Sequence, residues 1–473
     1  MQRAMGVSPR IGIMAVGLGA YWPQFQGMRE QVLGAHARLS ALFAGRGEVV
    51  AAGLVDSVAT ARGAGELFER EGVDIVFCHL TTYANSETLL PAVRRLDVPV
   101  ILLNVQPVRA LDMSKVRGIA DWLGVAVTPS SLPEMTNGLI RIGKRFDTIT
   151  GHLEDDSYLY EKLALWCRIA GLTRTLKTRS MALLGRPYAG MMDLSLDETN
   201  IFARTGTFIR HLDWDDVIAE MDNATEAERN VSFRDLRATF PASDSLTESE
   251  FNAAAVVLAA MRRFVARYQL CAIASHYEGQ ARGKRAELLA ALNPALSVLM
   301  AEGVACPVEA DMKVALAMLI LKTLAGSATL AELYSMDFDD DLVIIGHSGA
   351  GDPAISGRSP SLSMSEVFHG KSGRGYLTQF YPKAGDVTLL SLTQDARGGY
   401  RMVAAEGTIV EGPTLNLGDT NSRVRFADGL RRFVHRWSSF GPTHHGVLGH
   451  GHQIEALRSV STALDLPLDV ASG

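Results

Sequence analysis

The sequence has few of the features that mark secreted, membrane-spanning or nucleic-acid-binding proteins. Only 4 of its 473 residues are cysteines. They form no CxxC pair, so neither a disulfide framework nor a thiolate zinc site is indicated. No apolar run reaches the roughly 18–20 residues that a membrane span requires. The basic residues are dispersed and the formal net charge is −6, which gives no reason to expect a nucleic acid or a membrane as partner. We therefore expect a cytoplasmic protein that acts on a small molecule.

The sequence also lacks the glycine motifs that hold nucleotides and phosphates. Gly17-Leu18-Gly19 follows the first apolar stretch, but a third glycine at the proper spacing is missing and bulky residues come next. Those residues would keep a helix N-terminus from holding a pyrophosphate. No P-loop occurs, and no arginine cluster stands at an expected helix start. A phosphorylated substrate is therefore not expected.

What the sequence does contain is a regular alternation of short apolar strands and amphipathic helices, which is typical of parallel sheets covered on both faces. A second block of this kind begins near Ser180, and from about Asp341 strands are separated by glycine-rich turns with few helices. The pattern predicts an α/β protein with two doubly wound, Rossmann-like parallel sheets followed by a mostly antiparallel β domain. The expected domains are an N-terminal α/β domain (1–175), a central α/β domain (176–325) and a C-terminal β-rich domain (326–473).

Four residues in the last third of the chain have the chemistry of one metal site. Glu309 lies in VEADMK, Glu332 lies in AELYSMDFDDDLVIIGH, His347 ends that run, and His445 lies in the histidine-rich THHGVLGHGH. Each glutamate alone has an ordinary explanation, since Glu309 is expected to open a helix and Glu332 to lie on a solvated helix face. Two carboxylates and two imidazoles together suit a divalent cation of intermediate hardness, such as Mn²⁺.

The same segments carry a resemblance to a known family. VEADMK resembles the Gly-Glu-Gly-Asp-Trp-Lys motif of L-arabinose isomerases, AELYSMDFDDDLVIIGH resembles their metal-binding stretch, and GPTHHGV resembles their Gly-Gly-x-His-His segment. ITGH, at the end of the first predicted domain, is similar to a Val-Thr-Gly-His strand of that family. The chain thus resembles a distant member of the L-arabinose isomerase and L-fucose isomerase-like family. The resemblance covers nearly the whole chain but is distant outside these motifs.

The resemblance implies a function and a ligand set. Glu309, Glu332, His347 and His445 would bind Mn²⁺ or another divalent cation, and the choice of His445 over His444 follows the family pattern alone. The two glutamates would also be the catalytic acid and base of an aldose–ketose isomerisation through an enediol. One of them should be held less tightly by the metal than the other, because binding a cation lowers the basicity that proton transfer needs. A homo-oligomer, a trimer or hexamer, is implied as well.

Departures from the family pattern fall in the segments that line its sugar pocket. The stretches Gly19–Gln24 and Ser348–Ala354 differ from the family, so a free sugar other than L-arabinose is the expected substrate. The expected substrate-binding residues are Tyr21, Gln106, Met191, His276, Tyr277 and Asp352. Two alternatives stay open, namely a metal-dependent epimerase or oxidoisomerase of a modified sugar or sugar acid, and a non-catalytic sugar-binding protein.

Overall fold

The computed structural model describes residues 6–241, 243, 246–277, 279, 281–366 and 373–473. The chain divides into two compact units. The N-terminal unit comprises Val7–Arg174 and Ser459–Asp465, and the C-terminal unit comprises Thr175–Arg458, Leu466–Gly473 and Gly6. The boundaries of the three expected domains remain a prediction. In the described part of the chain, no helix is both long enough and apolar enough to cross a membrane.

The N-terminal unit is built on a five-stranded parallel sheet in the order β2-β1-β3-β4-β5. Its strands are β1 (Arg10–Val16), β2 (Glu48–Val55), β3 (Ile75–Leu80), β4 (Val100–Gln106) and β5 (Phe146–His152). Its helices are α1 (Met28–Ala41), α2 (Val58–Glu71), α3 (Leu90–Val93), α4 (Ile119–Leu123), α5 (Leu132–Arg141) and α6 (Ser157–Thr178), which runs on into the C-terminal unit. The strand order changes direction beside β1, which is the topology of a doubly wound sheet.

Local sequence signals explain why these elements begin and end where they do. Ser57 caps α2 in a reciprocal capping box with Thr60, and Gly72 ends the helix at φ 60°, where a residue without a Cβ adopts the left-handed region readily. Every residue of β3 is buried, as expected for a central strand covered on both faces.

Two buried histidines face each other in this unit. Nε2 of His79 on β3 donates to the carbonyl oxygen of Val105 at 3.0 Å, and its Nδ1 lies 3.4 Å from Nδ1 of His36 on α1. Because a neutral imidazole carries one N–H, Nδ1 of His79 accepts and Nδ1 of His36 donates. Burial lowers the pKa of His36 from 6.5 to about 4 and that of His79 to about 3. The pair is therefore neutral near pH 7.

This pair makes the N-terminal unit sensitive to acid. The unfolded chain binds protons at these histidines below pH 6.5, whereas the folded chain does so only near pH 4 or lower. The stabilising contribution of the neutral histidine pair is therefore fully present above pH 6.5 and is lost as the pH falls towards 4. At pH 5 the free energy of unfolding is lower by roughly 2 kcal/mol because of His36 alone. Hydrogen exchange of β3 and β4 peptides at pH 7.5 and pH 5 should show a smaller pH-dependent loss of protection in His36→Gln than in the wild type. Equal losses in the two proteins would contradict this assignment.

The first part of the C-terminal unit is a smaller parallel sheet packed with helices. Its strands, in the order β7-β6-β8, are β6 (Ser180–Gly185), β7 (Phe208–Leu212) and β8 (Leu270–His276). Its helices are α7 (Glu198–Thr205), α8 (Trp214–Asn223), α9 (Glu226–Thr239), α10 (Glu248–Tyr268), α11 (Gly283–Ala290), α12 (Leu292–Ala301) and α13 (Met312–Ala325). Beyond β8, the extended segment 305–308 runs parallel to it through bridges at Ala305 and Val308.

The rest of this unit is a mostly antiparallel β structure. A seven-stranded sheet has the order β13-β16-β9-β10-β15-β14-β17, and an additional pairing of β13 with β14 closes the first six strands into a ring. The strands are β9 (Thr329–Asp337), β10 (Leu342–His347), β13 (Gly385–Gln394), β14 (Tyr400–Val410), β15 (Thr420–Arg425), β16 (Gly446–His450) and β17 (Leu468–Ser472). A separate hairpin joins β11 (Ser361–Glu366) and β12 (Arg374–Gln379), and the remaining described helices are α14 (Leu430–Ser439) and α15 (Ile454–Leu464), whose residues from Ser459 on belong to the N-terminal unit. The predicted fold class is confirmed: two parallel Rossmann-like sheets and one mixed, mostly antiparallel sheet.

Two helices cover this sheet and fix its strands. Phe433 and Trp437 of α14 share a buried cluster with Val343, Val403 and Val424, while α13 packs against β13 and β16. Because α13 follows directly on the segment that holds Glu309, this packing anchors that segment to the β structure.

Candidate metal centre

Three neighbouring strands bring Glu332, His347 and His445 to the same place. β16, β9 and β10 are adjacent in the sheet. Glu332 on β9 is paired with Gly346 of β10, so His347 is the next residue along. His445 immediately precedes β16, whose first residue, Gly446, is paired with Ala331. Strands lie about 4.8 Å apart, so the sheet itself sets the spacing of the three side chains.

Gly346 allows the close approach at this point. A side chain there would place its Cβ 2.3 Å from the carbonyl oxygen of Thr420 on β15. His347 can therefore end β10 beside β15 only because the preceding residue has no Cβ.

Glu309 reaches the cluster from a strained turn. Glu309 and Ala310 have φ values of 62° and 59°, and left-handed backbone costs non-glycine residues about 1–2 kcal/mol each. Ala310 N donates to Ser275 O at 3.2 Å, and Ser275 N donates to Pro307 O at 3.3 Å. These two bonds hold the turn against the end of β8. Strain maintained by the surrounding structure is typical of functional segments.

The sequence-based interpretation of Glu309 as the opening of a helix is wrong. The helix, α13, begins at Met312, and its N-cap is Asp311, whose Oδ1 accepts from the backbone N of Lys313 and Val314. Aspartate is a preferred N-cap residue. Glu309 lies outside the helix and points its carboxylate at the histidines.

All four predicted ligand residues meet in one cluster, and His444 joins them. The ligand atoms of Glu309, His347 and His445 lie within 4.8 Å of one another, and so do those of Glu332, His444 and His445. Nε2 of His445 lies 3.4 Å from Oε2 of Glu309 and 3.8 Å from Oε1 of Glu332. His445 is therefore common to both groups. Their role as metal ligands remains a prediction.

The protonation of the two buried histidines suits a cation. Nδ1 of His445 donates to Oδ2 of Asp311 at 3.2 Å, and its Nε2 is buried with no hydrogen-bond partner among the described residues. Nδ1 of His347 donates to the carbonyl oxygen of Ser348, so its Nε2 is the nitrogen left to face the cluster. A metal-binding histidine has this arrangement, with its second nitrogen bound to a carboxylate or carbonyl.

The electrostatics of the two rings differ. Burial, with a smaller contribution from His445, lowers the pKa of His347 to about 4. Burial also lowers the pKa of His445, but its hydrogen bond to Asp311 and its charge interactions with Asp311 and Glu309 outweigh this and raise the pKa to about 9. The negative charge that favours a proton on His445 would equally favour a metal ion in its place. The side chains therefore fit a divalent cation in both donor type and charge.

His444 is held beside the cluster by a carboxylate that the sequence did not suggest. Its backbone N and its Nδ1 both donate to Oδ2 of Asp193, at 3.0 and 2.7 Å. The segment around Asp193 is tethered by buried Lys313, whose ammonium donates to the carbonyl oxygens of Asp193 and Ser195. Nε2 of His444 lies 3.7 Å from Glu332. The His444 side chain is 32% exposed, so it lies between the cluster and solvent.

Asp352 does not have the role that the sequence suggests. The sequence predicts that it accepts a substrate hydroxyl, but its side chain is fully buried and ion-paired with Lys322 at 2.5 Å. Its Oδ2 also accepts from Ala328 N, and its Oδ1 accepts from Ala354 N. Both carboxylate oxygens of Asp352 are bound within the fold. We therefore correct its predicted role: Asp352 is a structural residue that fixes the loop after His347.

Three other expected substrate contacts lie in the C-terminal unit. Met191 is half-buried and immediately precedes the short 3₁₀ turn Met192–Leu194, which contains Asp193. His276 ends β8 and is buried, with its ring centroid 4.8 Å from that of Tyr188. Tyr277 makes an edge contact with Trp214 at 6.2 Å. The β8 end adjoins the Glu309 turn, and Met191 adjoins the Asp193 segment, but contact with a substrate stays a prediction for all three.

Tyr21 and Gln106 belong to the N-terminal unit. Tyr21 ends a 3₁₀ turn shortly after β1 and makes an edge contact with Phe25 at 5.7 Å. Gln106 is the last residue of β4, and its Nε2 donates to Arg109 O at 3.2 Å. Gln106 ends a parallel strand and Tyr21 follows one, which is the edge where ligands of such sheets bind, and their expected substrate contacts also stay predictions.

The C-terminal third of the chain has a recognisable family. Residues 327–467 match the family model of the L-arabinose isomerase C-terminal domain. This C-terminal part of the chain is arabinose-isomerase-like. The match supports the family resemblance that the motifs indicated, and the matched domain is that of a sugar isomerase. The matched part of the chain includes Glu332, His347 and His445, whereas Glu309 precedes it.

Two further comparisons add nothing to this assignment. No curated protein matches the chain. Among solved structures, the crystal structure of a Thermus thermophilus UDP-glucose 4-epimerase in complex with NAD is similar at 11% sequence identity, over 63% of this chain and 85% of that chain. Its TM-score is 0.17, so the similarity supports no conclusion about this chain.

Proposed function

We propose that this chain is a divalent-metal-dependent aldose–ketose isomerase that acts on a free sugar. The observation that carries the proposal is the convergence of Glu309, Glu332, His347 and His445, with the buried Nε2 of His445 lacking a hydrogen-bond partner among the described residues. These four residues would hold the cation. When bound, a divalent cation supplies positive charge that stabilises an oxyanion developing on the substrate. Mn²⁺ is the cation we favour for a mixed carboxylate and imidazole site.

The two glutamates have different exposures, and we assign them different tasks. The side chain of Glu309 is 16% exposed and that of Glu332 is 31% exposed. Glu309 shares its group with the two buried histidines, His347 and His445, so we assign it to holding the cation. Glu332 is the more accessible carboxylate, and we assign it to proton transfer, because a base must reach the substrate carbon.

The reaction that these groups suit is an internal redox exchange with no external reductant. Glu332 removes the proton from C2 of the aldose, the C2–H electron pair forms the C1–C2 double bond, and the C1=O π pair moves to O1, which gives an enediolate. Returning the proton to C1, with transfer of the hydroxyl proton from O2 to O1, gives the ketose. His444, whose ring is fixed by Asp193, would hold a substrate hydroxyl beside Glu332.

Isomerisation in D₂O tests the proposal. The full-length chain is first treated with EDTA, then given Mn²⁺ and a panel of free aldoses and ketoses, and the products are followed by NMR. We expect one carbon of the active substrate to gain deuterium and the carbonyl to move between C1 and C2, only when Mn²⁺ is present. An EDTA-treated sample without added metal is the control.

The other outcomes separate the alternatives. Inversion at a carbon with the carbonyl unmoved would replace isomerisation by epimerisation. Sugar binding by calorimetry without any deuterium incorporation, and unaffected by EDTA, would identify a non-catalytic binding protein. Either result would overturn the proposed isomerase activity.

A further inference from the structure

Asp311 is fully buried, and its two carboxylate oxygens make separate contacts. Oδ1 accepts from the backbone N of Lys313 at 3.0 Å and of Val314 at 3.1 Å, which caps α13. Oδ2 accepts from Nδ1 of His445 at 3.2 Å. Since Oδ1 alone satisfies the helix, the helix does not require the contact between Oδ2 and His445.

The contact with Oδ2 determines which nitrogen of His445 carries a proton. A carboxylate can only accept, so the hydrogen of a neutral ring must lie on Nδ1 and the lone pair on Nε2. That Nε2 is buried without a hydrogen-bond partner in the described part of the chain, and it faces Glu309 and Glu332. A buried lone pair directed at two carboxylates is unfavourable unless a proton or a cation lies between them.

We propose that Asp311 is a positioning residue that fixes the tautomer and orientation of His445, so that Nε2 presents its lone pair to a divalent cation. The inference rests on the proposed metal centre and adds a buried residue behind the ligands. The inference also gives a reason why Asp311, which caps α13 through Oδ1, contacts His445 through Oδ2.

The adjacent histidine provides a matched comparison. His444 donates from Nδ1 to Asp193 in the same way as His445 donates to Asp311. His444 is one-third exposed, however, and it belongs only to the group around Glu332. If Asp311 acts as proposed, the same substitution at the two aspartates should have unequal effects on metal binding.

The experiment measures Mn²⁺ binding to the full-length chain by isothermal titration calorimetry for the wild type, Asp311→Asn and Asp193→Asn. Asparagine at 311 keeps an oxygen that can cap α13, but its amide NH₂ now faces Nδ1 and forces the proton onto Nε2. We expect the Mn²⁺ affinity of Asp311→Asn to fall roughly 10–100-fold, and that of Asp193→Asn to stay within about threefold of the wild type. Thermal unfolding of the metal-free proteins serves as the check on folding.

A second variant at position 311 distinguishes loss of metal binding from loss of folding. Serine is also a preferred N-cap residue, so Asp311→Ser keeps the helix start while removing the charge and should lose Mn²⁺ affinity as well. Wild-type affinity in the folded Asp311 variants would overturn the inference, and so would an equal or larger loss in Asp193→Asn. Absence of Mn²⁺ binding by the wild-type chain would instead overturn the metal centre itself, so the wild-type titration tells the two failures apart.

Discussion

Replacing Glu332 by glutamine is expected to lower turnover by roughly 10²–10⁴-fold, the usual contribution of a general acid or base, or about 3–5 kcal/mol of transition-state stabilisation. Glutamine has the shape of glutamate but cannot accept a proton from carbon. Glu332 lies on β9 between two paired strands, so the backbone should not change. We expect Mn²⁺ binding to persist, because the more buried group of Glu309, His347 and His445 is intact.

Replacing Glu309 by glutamine should have a different effect from replacing Glu332. Glu309→Gln removes negative charge next to Nε2 of His445, so it should lower both Mn²⁺ affinity and turnover, with part of the turnover restored by excess Mn²⁺. Steady-state rates at several Mn²⁺ concentrations separate the two variants. Glu455→Gln is the control, since that side chain is 80% exposed in an i,i+3 ion pair. Near-normal turnover in Glu332→Gln would remove this residue from the mechanism.

The second large effect is expected at His445. Asparagine places its NH₂ group where Nδ1 of histidine stands, so His445→Asn keeps a donor for Asp311 while removing Nε2. This avoids leaving the carboxylate of Asp311 buried without a partner, which would cost about 3–5 kcal/mol. We expect Mn²⁺ affinity to fall by more than the roughly 10–100-fold loss typical of residues behind the ligands.

His444→Asn is the matched control for this substitution. His444 lies next to His445 and is also bound to an aspartate through Nδ1, but it is more exposed and belongs to only one of the two ligand groups. Metal content after dialysis, measured by elemental analysis, should therefore be near normal in His444→Asn and low in His445→Asn. The reverse result would move the predicted ligand to His444.

The sequence predicts the ligand residues better than the elements that hold them. Its local pattern predicts Glu332 on a solvated helix face, yet Glu332 lies on β9, because the pairing of β9 with β10 and β16 outweighs that pattern. Residues 286–302 have helical spacing throughout, which favours one continuous helix, whereas α11 ends at Ala290 and α12 starts at Leu292. Pro294 in the first turn of α12 is the signal that was available, since proline suits a helix start and not a helix interior.

Other parts of the site had no signal in the sequence. Asp193 is 251 residues from His444 in the chain and lies in a short turn without a motif. Asp311 stands within a motif of the sequence, but its contact with His445 depends on the packing of α13 against β16. Contacts of this kind arise from tertiary structure, which periodicity and local composition do not report.

The placement of the proposed ligand residues on neighbouring strands affects how the surrounding sequence can change during evolution. Distances among Glu332, His347 and the residue before β16 follow from backbone pairing within a sheet whose first six strands form a continuous ring. The loop 348–354 leaves this framework immediately after His347, with Asp352 anchoring it through Lys322. Loops tolerate replacement far better than paired strands. Natural variation or directed evolution can thus remodel the loop beside the cluster while the side chains of the proposed cation site keep their spacing.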